Sequence, residues 1–131
     1  MAPAPPISLV PQSLDLSLYG GDGVELRMTV TDSLGGAVPL TPGVIDAQIR
    51  STRTTTPAIV TFAADLTDGA TGIVILSLTG DQTESLHGPV DSLSDRFSGV
   101  WDVQWTPDQG QPITLIQGKV ESALDVTRPG N

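Results

Sequence analysis

Apolar and polar residues alternate with a period of two through most of the chain, and that period belongs to a β-strand with one buried face. Leu14, Leu16 and Leu18 alternate with Asp15 and Ser17, which predicts a first strand from Ser13 with all three leucines inward. Gly20-Gly21-Asp22-Gly23 ends it. Val24, Leu26, Met28 and Val30 then alternate with Glu25, Arg27, Thr29 and Thr31, the cleanest strand pattern in the sequence, and Asp32 to Gly36 reads as a turn. Ile45, Ala47 and Ile49 predict a strand around 44–51, and a β-branched run from Ile59 to Leu66 predicts another before the Asp68-Gly69 turn signal. Ile73 to Leu78 is apolar at nearly every position and reads as a strand buried on both faces. Thr79 with Gln82 has the spacing of a capping box, so one short helical turn is expected over Asp81 to Leu86. Residues 87–98 read as a surface loop. Trp101, Val103 and Trp105 alternate with Asp102 and Gln104, and separate runs at Ile113 to Gln117 and Val120 to Val126 close the set. Eight or nine short strands at this spacing predict an all-β fold, an antiparallel β-sandwich or a barrel.

Residues 1–12 break the pattern. Pro3, Pro5, Pro6 and Pro11 favour an extended, polyproline-like arm that cannot donate fully to a ladder. The expected organisation is therefore an arm at 1–12 and one sandwich at 13–131, a size at which a single core suffices. Glycine (14) and proline (11) are plentiful but stay below the level that signals disorder, which adds turns rather than helices.

Charge and cysteine content narrow the chemistry. Six Lys and Arg against fifteen Asp and Glu give a net charge of −9, a surface that repels phosphate backbones and anionic lipid, so neither nucleic acid nor membrane is an expected partner. The N-terminus carries no basic residue and no apolar run, so no signal peptide is expected. With no cysteine there is no thiol chemistry, disulfide or thiolate metal site. The single histidine, His87, sits beside Gly88 and Pro89 and reads as a solvated loop residue rather than a catalytic base. Asp65, Asp68, Asp91 and Asp95 are placed in loops, but their spacing matches no calcium loop. No catalytic, metal or cofactor site is expected, and the chain is not read as an enzyme. Trp101 and Trp105 share one face. That face is read as core, the alternative being a sugar-stacking platform in a carbohydrate-binding module.

The order of these pieces resembles a protein family known from tailed bacteriophages. Tyr19-Gly20-Gly21-Asp22-Gly23 leads into Val24 to Val30, then come Asp32 to Gly36 with Val38-Pro39-Leu40, Ile45 to Arg50, Thr71 to Leu78 with Thr79 to Leu86, and Leu115 to Val120 ending in Asp125 to Pro129. This sequence of elements is similar to the immunoglobulin-like N-terminal domain of baseplate upper proteins and related small phage structural proteins. The resemblance implies an immunoglobulin-like sandwich, a non-enzymatic docking role in the tail or baseplate, other phage structural proteins as partners, multiple copies on a symmetric particle, and a place in the virion after synthesis in the bacterial cytoplasm. Nothing like a coiled coil or receptor-binding region follows the sandwich before Asn131, so a small structural subunit is expected, with capsid-surface decoration as the alternative. The attachment surface is expected to include Pro3, Pro5, Pro6, Ile7, Leu9 and Pro11, because an arm already restricted by proline loses less entropy on docking.

Overall fold

A computed structural model describes residues 12–32, 34–54, 58–89 and 91–124. They form two sheets packed as a sandwich. The strands are β1 (Gln12–Ser13), β2 (Leu16–Gly20), β3 (Val24–Thr29), β4 (Gly43–Arg50), β5 (Val60–Thr61), β6 (Ala63–Asp65), β7 (Ile73–Leu78), β8 (Arg96–Pro107) and β9 (Ile113–Leu124). The first sheet has the order β1-β9-β8-β4-β5, with β2 also on β9, and the second has the order β3-β7-β6. Taking β3, β7 and β6 as the B, E and D strands and β9, β8, β4 and β5 as G, F, C and C′, this is the arrangement of an immunoglobulin-like fold. The chain is such a sandwich. Two departures from the immunoglobulin pattern are visible: no disulfide ties the sheets, and the buried tryptophans lie on β8 instead of β4.

The sandwich is antiparallel as expected except at the start of the chain, where β1 and β2 both run parallel to β9. The predicted first strand is also interrupted. Leu16 and Leu18 are buried, but Leu14 is 45% exposed. Its carbonyl instead crosses Gly118 and accepts the Trp101 indole N–H at 2.8 Å, while the Asp15 carboxylate accepts the Lys119 amide at 2.9 Å. A Cβ on Gly118 would collide with that carbonyl, so the crossing requires glycine there. With the interruption on the neighbouring strand, β9 runs unbroken from Ile113 to Leu124 and the two separate runs expected there are one strand. A β-bulge opposite Val103 and Gln104 explains why consecutive residues Leu115 and Ile116 are both buried.

Three further expectations change. The run Ile59 to Leu66 divides between the sheets: β5 pairs with β4, β6 with β7, and buried Phe62 turns the corner, its ring 5.7 Å from that of Trp101. In β7 only Val74, Leu76 and Leu78 are buried, and Ile73, Ile75 and Ser77 are half-covered on the outer face. The chain from His87 to Ser98 is not a plain surface loop, since His87 is buried and β8 begins at Arg96. The helical turn forms as α1 (Gly80–Ser85) with both halves of the Thr79–Gln82 capping box in place, and a short 3-10 turn at Gly69–Thr71 precedes β7. Thr83 on α1 hydrogen-bonds the 20–23 turn through Gly21 and Asp22, docking the helix onto the end of β2.

Candidate functional site

The residues singled out from the sequence fall in different places. Pro3, Pro5, Pro6, Ile7, Leu9 and Pro11 lie outside the described residues. Trp101 and Trp105 lie in the core at 3% exposure each, facing Ile49 and Ile45 of β4. Each indole N–H donates to a main-chain carbonyl, of Leu14 at 2.8 Å and of Leu40 at 3.0 Å. A sugar ring has no access to either face, so these two indoles form no stacking platform. Of the aspartates expected in loops, Asp65 is instead the last residue of β6, and its carboxylate accepts the Thr67 hydroxyl and amide, which lowers its pKa. Among the described residues no cluster of His, Asp and Glu is arranged to hold a metal ion.

His87 is the departure of most chemical interest. The ring is 2% exposed and both nitrogens are engaged, Nδ1 with the Ser94 carbonyl and Nε2 with the Ser122 hydroxyl, each at 2.8 Å. A carbonyl can only accept, so Nδ1 carries the proton; in the neutral ring Nε2 then accepts from the hydroxyl. A serine hydroxyl on an imidazole whose far nitrogen is oriented by an oxygen is the geometry of a nucleophile and its base. Burial decides against that use. Ser122 is 3% exposed and points inward from β9, and the Gly20 backbone packs so closely that a Cβ there would come within 2.8 Å of Nε2. No acyl group reaches the hydroxyl, so the pair fastens the 87–94 segment to β9 as a structural clasp. Only the Gly20-Gly21 pair hinted at this in the sequence.

The outer face of the larger sheet carries a polar cluster built across three strands. Gln48, Asp102 and Gln117 stand side by side on β4, β8 and β9. Arg50 donates to Gln48 Oε1 at 2.6 Å and Arg53 to Gln117 Oε1 at 3.1 Å, so the two guanidinium groups arch over Asp102. Partial burial beneath them raises the Asp102 carboxyl pKa, and the positive charge of Arg50 and Arg53 pulls it part of the way back. Three of the six basic residues of an acidic chain, Arg50, Arg53 and Lys119, meet on this face. The cavity there is about 90 Å³, well short of the roughly 300 Å³ at which small-molecule sites begin. A larger open trough beside α1, lined by Glu25, Ala63, Ser77, Thr79 and Gln82 among others, contains Glu25 as its lone titratable side chain. Neither hollow assembles a base, a nucleophile and an oxyanion site.

No protein-family model matches the chain, and no curated protein matches it in sequence.

Proposed function

We propose that the chain is a non-enzymatic structural module of a bacteriophage virion, an immunoglobulin-like domain that docks to other structural proteins of the tail or baseplate. One observation favours a docking module over an enzyme: the single histidine, the best available base, spends both nitrogens inside the core on Ser94 and Ser122. The order of elements from Ser13 onward, which resembles the phage domains, supplies the virion part of the reading. On this reading partners meet the outer face of the larger sheet around Asp102, where Arg50 and Arg53 offer donors to an acidic or amide-rich surface. The prolines of the N-terminal segment contribute the rest of the contact.

Gold-labelled antibody electron microscopy on purified particles tests the proposal. Label at the tail or its tip is the expected result. Regular label over the head would reassign the chain to capsid decoration, and particles without label would overturn the virion reading altogether.

A further inference from the structure

We propose that β3 is a self-association edge: two copies of the chain pair through their β3 strands, antiparallel across a two-fold axis, in the register that sets Glu25 of each copy opposite Arg27 of the other. The two three-stranded sheets then become one sheet of six strands. This rests on the fold alone and stands whether or not the chain belongs to a virion.

Among the described residues β3 is hydrogen-bonded on one side only, to β7. The hairpin that follows it does not cover the other side. Val30 donates to the Gly72 carbonyl and accepts from the Val38 amide, and the N–H and C=O of one strand residue point the same way, so residues 37–38 lie on the β7 side. An unpaired strand edge is a template for another strand, and natural sheets blunt such edges with short strands, proline, bulges or inward charges. The other edges of this sandwich are blunted: β5 has two residues, β6 has three, and the β1–β2 edge is broken at Leu14–Asp15. The six residues of β3 have no proline, glycine or bulge, and the side chains they turn inward are Val24, Leu26 and Met28. All three pack against the core yet remain half-exposed, unlike Val74, Leu76 and Leu78 opposite them on β7. A strand laid along the edge would finish covering them.

Hydrogen-bond parity and charge then choose the partner and the register. Val30 bonds toward β7, so Val24, Leu26 and Met28 do the same, and Glu25, Arg27 and Thr29 direct their main-chain groups to the free side. A new antiparallel ladder must match odd residues with odd. With Leu26 opposite Leu26 of the second copy, Glu25 faces Arg27 twice and Val24 faces Met28 twice, with charges on the outer face and apolar pairs on the inner. A two-residue slip in one direction puts Glu25 opposite Glu25, and in the other Arg27 opposite Arg27, both unfavourable. β3 is thus complementary to itself in one register, as an isologous two-fold contact requires. It is also locally neutral in a chain of net charge −9, so two copies meet here without local repulsion.

The test is sedimentation of the full chain over a wide concentration range, alongside E25R and R27E. The expected result is a species of twice the 13.6 kDa chain mass, with each single variant dimerising at least about tenfold more weakly because two attractive cross-strand pairs become repulsive. Mixing equal amounts of E25R and R27E should restore the dimer, since opposite charges again face each other. Tryptophan emission checks that each variant is folded. The chain has no cysteine, so Leu26→Cys provides a register-specific reading. A non-hydrogen-bonded antiparallel pair brings Cα atoms to about 4.5 Å, within reach of a disulfide, and mild oxidation should cross-link Leu26→Cys but not Met28→Cys. A monomer at every concentration would overturn the proposal. So would a dimer that ignores both charge variants and fails to cross-link, or a dimer that appears only when residues 1–11 are deleted, which would give the edge to the chain's own N-terminal segment.

Discussion

Replacing His87 tests whether the clasp between the 87–94 segment and β9 is structural. In His87→Ala the ring's volume is lost from a site 2% exposed, and the Ser122 hydroxyl, itself 3% exposed, loses its acceptor. The cavity costs about 2 kcal/mol or more on the scale of buried large-to-small changes, and the orphaned hydroxyl adds about 1–2 kcal/mol. The Ser94 carbonyl belongs to an exposed residue and can turn to water, so it adds little. The expected loss is about 3–4 kcal/mol, a large part of the roughly 5–15 kcal/mol that holds a domain together. His87→Leu restores most of the volume but not the acceptor and should lose about 2 kcal/mol. Ser122→Ala should lose about 1–2 kcal/mol by stranding Nε2. Combining His87→Leu with Ser122→Ala removes both polar partners at once, so the double variant should be more stable than the sum of its parts by about 1–2 kcal/mol. Urea unfolding followed by tryptophan emission measures all four proteins, with an unchanged slope as the check that only stability moved. Strict additivity, or a loss below about 0.5 kcal/mol for His87→Ala, would refute the clasp and return the histidine to the solvent.

Other consequences are quicker to check. Emission from Trp101 and Trp105 should be blue-shifted and resist acrylamide quenching in the folded chain, and a sugar should leave it unchanged; red-shifted, quenchable emission would contradict their burial. Gly118→Ala should destabilise by about 2 kcal/mol or more, because the Leu14 carbonyl has no room for a methyl group and the Trp101 bond must give way; calorimetry reads this as a lower Tm. At Asp102 burial raises the native pKa above the ordinary value of 3.8, so the native state binds the proton more tightly than the unfolded one. Its contribution is favourable in acid and is lost as pH climbs through the raised native value. Asp102→Asn, neutral at every pH, should therefore unfold at higher urea than the parent at pH 7, with the gap closing as pH falls toward and below 3.8; a gap that widens in acid would be the wrong sign.

The sequence was legible where one rule governed one segment. Strict alternation located β3, β4 and the inward indoles of β8, and the Thr79–Gln82 spacing located the capped turn of α1. Alternation reports which residues share a face, but it does not report which sheet receives them. Hence Ile59 to Leu66 looked like one strand although Phe62 passes it from one sheet to the other. Parity also fails wherever main chain from a distant segment intervenes. Leu14 leaves the inward set of Leu16 and Leu18 because its carbonyl is needed at Trp101, 87 residues away, and the short run around Gly118 was misread as a break for the same reason. His87 followed a like course. Flanked by Gly88 and Pro89 it carries every local mark of a loop, and its burial depends on Gly20 and Ser122, which no window around it contains.

Two of these failures share a cause. At Leu14 and at His87 a polar group is satisfied in the interior by a partner far along the chain, the indole of Trp101 by Leu14 and the imidazole by Ser122, and the correctly read Trp105 has such a partner too, in Leu40. Without a disulfide between the sheets, such bonds fix how the segments joining the strands sit on the core, because an alternative packing would leave a buried donor unpaired at about 1–3 kcal/mol each. Specificity of that kind suits the docking role proposed above. It also explains why the two tryptophans and the histidine, the side chains that look most like chemistry in the sequence, are spent on the interior, while the outer faces carry ordinary strand residues: Gln48, Arg50 and Asp102 on one sheet, Glu25 and Arg27 on the other. Their meaning lies in register rather than in residue type, and register becomes visible only when the strands are placed side by side.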